Sequence, residues 1–332
     1  MNKTSYKISH LKDKEIIFFR NPKTKLKGYV VIHNTIENVP AIGGIRMFPY
    51  SNKKNALLDA LKLAEAMTYK LIMARIPLQG GKAVIMGNPI TDKTRGLLKS
   101  FGEFIESLNG KIYLGEDMGT NSKDLKIISS KTKYCSKEEI SVSSATSYGI
   151  FKGMKACLKN IYGNESFKNK EIAIQGMGKV GYILANLIHK EKGILFISDK
   201  NNKIANKVAK KFKAKKIQPN KIHQIDCDIF SPCANSGIIN NRTIKELKCK
   251  IIAGAANNQL SEKKYADQLF KKKILYVPDY IINAGGVMTY FKKNKEWIGE
   301  VIYNRVTKLI KESEIRKKPI NIITNKIVEK NL

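Results

Sequence analysis

Glu171-Ile-Ala-Ile-Gln-Gly-Met-Gly-Lys-Val-Gly181 is the stretch that decides the fold. Glu171 to Gln175, with the short apolar run Ile172, Ala173 and Ile174, reads as a buried strand. Gly176, Gly178 and Gly181 follow with the spacing GxGxxG, and Val180 to Lys190 reads as the helix after them. Strand, glycine turn and helix in that order form the context in which this spacing holds the pyrophosphate of a dinucleotide. The first glycine permits the tight turn, the second lets backbone approach the pyrophosphate, and the third lets helix and strand pack closely. The ligand's charge then rests on the helix N-terminus. Gly176, Met177, Gly178, Lys179, Val180 and Gly181 are therefore candidate cofactor-binding residues. A second strand, Ile194 to Ser198, leads into Asp199, eighteen residues after Gly181. A carboxylate there accepts hydrogen bonds from the adenosine ribose and repels a 2′-phosphate, so NAD is expected over NADP.

Outward from this motif, Tyr148 to Tyr162 reads as a helix, and short apolar strands recur at 228–230, 250–253 and 274–277. Residues 143–290 are expected to form a doubly wound parallel sheet of the Rossmann type. Upstream, a β-like run covers 28–34, and Leu57, Leu58, Leu61, Ala64 and Met67 recur at helical spacing over 55–67. A strand over 82–86, a helix over 97–108 ended by Asn109-Gly110, and a strand over 112–114 complete an α/β domain over 1–142. That domain is expected to carry the substrate and the oligomer contacts, with a cleft between it and the second domain. Residues 298–315 and 320–328 read as helices, so 291–332 is expected to pack back across the domain junction.

The chain has 332 residues, 42% of them hydrophobic, which argues against disorder. No apolar run is long enough to span a membrane, and no signal peptide is evident. Five cysteines without a CxxC pair argue against a disulfide framework and for a reduced, cytoplasmic protein. Four isolated histidines argue against a histidine metal site, and no metal is expected.

The net charge of +33 raises a nucleic-acid reading. Basic and acidic residues number 24 and 13 over 1–140, 26 and 10 over 141–290, and 11 and 5 over 291–332. The excess is spread along the chain, and only 7 of the 61 basic residues are Arg, the type favoured for reading bases and gripping phosphates. The densest run, Lys207 to Lys216, reads as a solvated helix face. No specific nucleic-acid partner and no membrane partner are expected.

Two lysines of the first domain stand out: Lys70 at the end of Met67-Thr-Tyr-Lys70, and Lys82 after the pair Gly80-Gly81. An acidic Gly115-Glu-Asp-Met-Gly119 loop follows. Two cations in one cleft lower each other's pKa and give a lysine able to act as a base near neutrality.

With these residues in view, the sequence resembles the glutamate/leucine/phenylalanine/valine dehydrogenase family, most of all its leucine and phenylalanine members. The resemblance is carried by Gly43-Gly-Ile-Arg-Met47, Met67-Thr-Tyr-Lys70, Gly80-Gly-Lys-Ala-Val-Ile85, Gly115-Glu-Asp-Met-Gly-Thr120 and Ala173 to Gly181. It continues through Ser231-Pro-Cys-Ala234, Ala253 to Leu260 and Pro278 to Gly286. It implies NAD-dependent oxidative deamination of an apolar L-amino acid to its 2-oxo acid and ammonia, in a homo-oligomer. By resemblance, Lys70 holds the substrate carboxylate, Lys82 is the base that activates water, and Asp117 handles protons at the amino group. The Gly43 and Gly44 backbone lines the substrate site, Asn257 and Thr146 face the cofactor, and Asn258 faces the substrate. Ile42, Gly115, Val287 and Tyr290 line the side-chain slot, with leucine and branched-chain substrates ahead and aromatic, phenylalanine-type specificity close behind. The stretch 141–149 is shorter than the family's and lacks proline. That departure leaves a catalytically weak NAD-binding paralogue as a further alternative.

Overall fold

A computed structural model describes residues 4–135, 142–292 and 294–330. They divide into two compact units at about residue 140. The first unit contains β1 (Ser5–Leu11), β2 (Lys14–Asn21), β3 (Leu26–His33), β4 (Ala41–Phe48), α1 (Lys53–Ala74), β5 (Gln79–Met86), α2 (Arg95–Ser107), β6 (Ile112–Glu116) and α3 (Ser122–Ile128). Its six strands lie in the order β1-β2-β3-β5-β4-β6. The first three pair antiparallel, β3 meets β5 antiparallel, and β5, β4 and β6 run parallel.

α1 covers one face of this sheet. Ala56, Ala60 and Ala64 recur every four residues and pack on Tyr29, Val31 and Val84. Small side chains let helix and strand approach closely. A Cβ added at Gly80 would lie 2.2 Å from the backbone nitrogen of Thr68, so β5 and α1 meet backbone to backbone. The opposite face is closed by Leu97, Phe101, Phe104 and Ile105 of α2 on Phe19, Ile45 and Ile85. Asn52 and Thr94 cap α1 and α2 by accepting from Asn55 N and Leu97 N, and α3 starts with a capping box of Asn121 and Asp124.

The second unit opens with α4 (Val142–Tyr162) and continues through β7 (Glu171–Gln175), α5 (Lys179–Lys190), β8 (Ile194–Ser198), α6 (Asn202–Phe212), β9 (Lys215–Lys216) and β10 (Ile229–Pro232). Next come α7 (Thr243–Glu246), β11 (Ile251–Ile252), α8 (Tyr265–Lys271), β12 (Leu275–Tyr276), α9 (Asp279–Ile282) and α10 (Gly285–Met288). α11 (Lys295–Arg316) and α12 (Ile320–Glu329) close the chain. The strands are all parallel in the order β12-β11-β10-β7-β8-β9, so the chain starts mid-sheet, winds one way and then the other. This is the doubly wound arrangement expected from the glycine motif, with β7 and β10 flanking the switch point.

Several elements differ from the sequence reading. β1, β2, β4 and α3 were not foreseen. β1 is exposed along its length and carries no apolar run, while β4 carries two glycines and an arginine that obscure its apolar residues. α1 runs four residues past Lys70, and β5 begins three residues before Lys82, so Lys70 lies inside its helix and Lys82 inside its strand. α4 begins at Val142, six residues before the helix start read at Tyr148; of the 141–149 stretch, Ser141 lies outside the described residues. α11 packs against α4 within the second unit. Lys207 to Lys216 spans the end of α6 and β9. Ala205, Val208 and Phe212 point inward while the lysines remain mostly exposed. Lys215 and Lys216 also charge an outer strand of the sheet. None of the five cysteines is in a disulfide, and among the described residues no helix is long and apolar enough to cross a membrane.

Candidate active site

Among the first unit's candidates, Lys82, Asp117 and Gly44 come together. β5 lies in the middle of its sheet and is buried along its whole length. The Lys82 side chain is accordingly only 6% exposed, with Nζ donating to Asp117 Oδ2 at 2.8 Å. Asp117 sits just past β6, in a loop braced by Thr120. The Thr120 hydroxyl donates to Ile45 O and accepts from Asp117 N. Lys93 donates to Gly119 O and to Asp124, fixing the far end of the loop.

A residue absent from the sequence-based candidates completes this cluster. Arg46 of β4 donates through Nε to Asp117 Oδ2 at 2.9 Å and through Nη1 to Asp59 Oδ2 of α1 at 3.0 Å. The Tyr50 hydroxyl donates to the same Asp59 oxygen. Arg46 was in view within the quoted Gly43–Met47 motif, but in a chain with 61 basic residues its partners, 13 and 71 positions away, leave no local signature.

Electrostatics follow from burial and these neighbours. Burial penalises the ammonium and pushes Lys82 below the usual lysine range; Arg46 adds to this, while Asp117 and Asp59 oppose it. For Asp117, burial favours the neutral acid, but Lys82 and Arg46 together outweigh it and hold the carboxyl well below the usual carboxylate range. Burial and Asp59 push the Tyr50 hydroxyl up, so it remains a donor. The cluster thus sets a lysine whose pKa is lowered beside a carboxylate held ionised.

Gly44 keeps this place open. A Cβ there would lie 3.0 Å from both Lys82 Nζ and Asp117 Cβ. Gly43 meets another demand, since its Cβ would run into Gly81 O. Ile42 and Gly115 are buried in β4 and β6, with Gly44 paired to Gly115 in register. Lys70 is half-buried on α1.

The remaining candidates lie in the second unit. Gly176 has φ of +98°, open to glycine at little cost, and a Cβ on Gly181 would meet Gly176 O at 2.0 Å. No atom lies within 4 Å of the Cβ position of Gly178, and the N-terminus of α5 has no side-chain cap. A helix N-terminus without a side-chain cap, beside the open Cβ side of Gly178, is what an anionic pyrophosphate requires, so these residues fit a dinucleotide. Lys179 is exposed at this terminus and Val180 half-buried. Asp199 accepts from Met177 N at 2.7 Å and from Asn201 N at 2.8 Å, which ties the second strand's carboxylate to the glycine turn.

Asn257 and Asn258 are exposed, and Asn258 is held at φ +51° with its N–H donating to Asp279. Asn283, a further residue not singled out from sequence, is buried. Its Nδ2 donates to Ala255 O and Asn257 Oδ1, while its own Oδ1 has no partner among the described residues. Thr146 donates to Val142 O at 2.7 Å, which leaves its oxygen able to accept. Val287 is buried, whereas Tyr290 is 36% exposed.

The whole arrangement can be compared with known proteins. A model of the "Glu/Leu/Phe/Val dehydrogenase, dimerisation domain" matches residues 14–134, and a model of the "Glutamate/Leucine/Phenylalanine/Valine dehydrogenase" matches 141–209 and 192–325. The chain belongs to the glutamate/leucine/phenylalanine/valine dehydrogenase family. This family member is similar to a leucine dehydrogenase of Geobacillus stearothermophilus, 38% identical over 96% of this chain and 90% of that one. It is also similar to a phenylalanine dehydrogenase of Lysinibacillus sphaericus, 38% identical over 93% of this chain and 82% of that one. The crystal structure of L-tryptophan dehydrogenase from Nostoc punctiforme superposes with a TM-score of 0.80 at 36% identity, over 95% of this chain and 94% of that one. The chain is thus an oxidoreductase of the amino-acid dehydrogenase type.

Proposed function

We propose that the protein oxidises an apolar L-amino acid of the leucine or branched-chain type to its 2-oxo acid and ammonia, with NAD as the oxidant, in a homo-oligomer. The observation that carries this reading is the buried Lys82 Nζ 2.8 Å from Asp117, beside a glycine whose missing side chain leaves room for substrate. When bound, the nicotinamide supplies the hydride acceptor. Lys70 holds the substrate carboxylate and thereby sets the orientation of Cα. Hydride loss leaves an iminium carbon. Lys82, in its neutral form, takes a proton from the water that adds to that carbon. Asp117, ionised in the free site, takes a proton from the substrate's ammonium before the hydride leaves and returns it to the amine after water has added; ammonia then leaves as the carbonyl forms and the hydroxyl proton passes to solvent. Burial of Lys82 favours the neutral form the water step needs. Turnover in this direction therefore rises with pH through a group titrating below an ordinary lysine, and falls as Lys82 becomes protonated.

None of the residues assigned by resemblance to the side-chain slot, Ile42, Gly115, Val287 and Tyr290, is basic, in keeping with an apolar side chain. The dimerisation domain named in the family model supports assembly through the first unit. The deciding measurement is NADH formation at 340 nm with a panel of L-amino acids. Leucine, valine and isoleucine are expected to lead with phenylalanine behind, and activity confined to glutamate overturns the substrate assignment.

A further inference from the structure

Both bonds from Lys82 and Arg46 fall on the same oxygen of Asp117, Oδ2, and Oδ1 has no hydrogen-bond partner among the described residues. Arg46 is itself fixed from behind. Its second nitrogen is held by Asp59, and Asp59 in turn takes the Tyr50 hydroxyl. The guanidinium is a planar fork whose two arms here span two carboxylates on different elements, a task for which an ammonium has no equivalent geometry. The side chains of Arg46, Asp59 and Asp117 are 15%, 29% and 23% exposed, so these pairs are partly shielded from water.

We propose that Arg46, held by Asp59 and Tyr50, is the positioning residue of this site: it turns Asp117 so that Oδ2 is shared with Lys82 while Oδ1 is left to the substrate's amino group. The proposal rests on the reading of Lys82 as base and Asp117 as proton carrier. Arg46 also sets charge. Lys82 is faced by Arg46 from β4, by Asp117 from the loop after β6, and by Asp59 from α1. Its strand neighbour across β3 is the apolar Val31, and α1 also carries Glu65 and Lys70 along its length. A cation and an anion of this set can thus be removed one at a time with opposite effects on the lysine.

The experiment measures kcat against pH for oxidation of the amino acid the wild type turns over fastest, together with NADH binding. Arg46→Gln removes the cation. The rising limb of kcat is expected to move to higher pH by about one unit, with kcat lowered at least tenfold and NADH affinity unchanged. Asp59→Asn removes the anion, and the limb is expected to move the other way, by about half a unit. Arg46→Lys keeps the charge but loses the fork. It is expected to keep the limb in place while kcat falls about tenfold. A merely structural role lowers kcat without shifts of opposite sign. An Arg46→Gln limb at the wild-type position overturns the proposal. If that variant does not fold, Asp59→Asn decides alone: a downward shift supports the proposal and an unmoved limb overturns it. Full turnover in Lys82→Ala is a separate outcome, which removes the base assignment itself.

Discussion

The glycine turn of the second unit and the charged cluster of the first are built in opposite ways. The turn is contiguous: Gly176 to Gly181 and Asp199 lie within one strand–helix–strand stretch, and Asp199 bonds back to Met177 inside it. The cluster draws Gly44 and Arg46 from β4, Asp59 from α1, Lys82 from β5 and Asp117 from the loop after β6. A dinucleotide presents one constant shape, so a local backbone motif suffices to meet it. Moving protons at a carbon centre needs charges of both signs at fixed distances in a dry place, which only a folded sheet with a helix on it brings together.

This contrast makes the two halves separable by mutation. The largest effect is expected from Lys82→Ala, which lowers turnover by about 10²–10⁴-fold and leaves NADH binding near the wild-type value. Loss of NADH binding in that variant breaks the separation. A smaller effect is expected from Asp199→Ala, which leaves Met177 N–H without its partner and removes the ribose acceptor. NADH affinity is expected to fall by about 10–100-fold, as for a hydrogen bond to a charged group, with the kcat pH limb unmoved. The preference for NAD over NADP should narrow in the same variant, measured as a ratio of kcat/KM; equal values for the two cofactors in the wild type dismiss the reading of Asp199. The smallest effect concerns the lysine coat outside both sites. Duplex DNA is expected to bind weakly and without sequence preference, and a titration across ionic strength should show the binding vanish near physiological salt.

The same contrast explains what was legible in the sequence. β7 and β8 were read with their observed bounds, because an apolar strand beside a glycine turn advertises itself locally. Lys82 and Asp117 stood out from neighbouring glycines, whose requirement for close approach is written into the chain. Arg46, Asp59 and Tyr50 did not, because what makes them a set is a pair of through-space bonds to Asp59 of α1, one from Arg46 in β4 and one from Tyr50 just past it. β1 escaped notice because it is exposed along its length and carries no apolar run. Asn283 lay within a recognised motif, yet its bond to Asn257 becomes visible only after the chain has returned past β12.

The seat of Gly80 against Thr68 has a consequence for how this enzyme can change. Lys70 follows Thr68 by two residues along its helix, and Lys82 follows Gly80 by two along its strand. The interval between the two lysine-bearing backbones is therefore gauged by main chain pressed on main chain, a joint with no side chain to lengthen or shorten. Of the residues assigned to the side-chain slot, Ile42 is the register partner of Gly80 and so adjoins this joint. Any residue larger than glycine at position 80 would therefore reset the interval between the two lysines for every substrate at once.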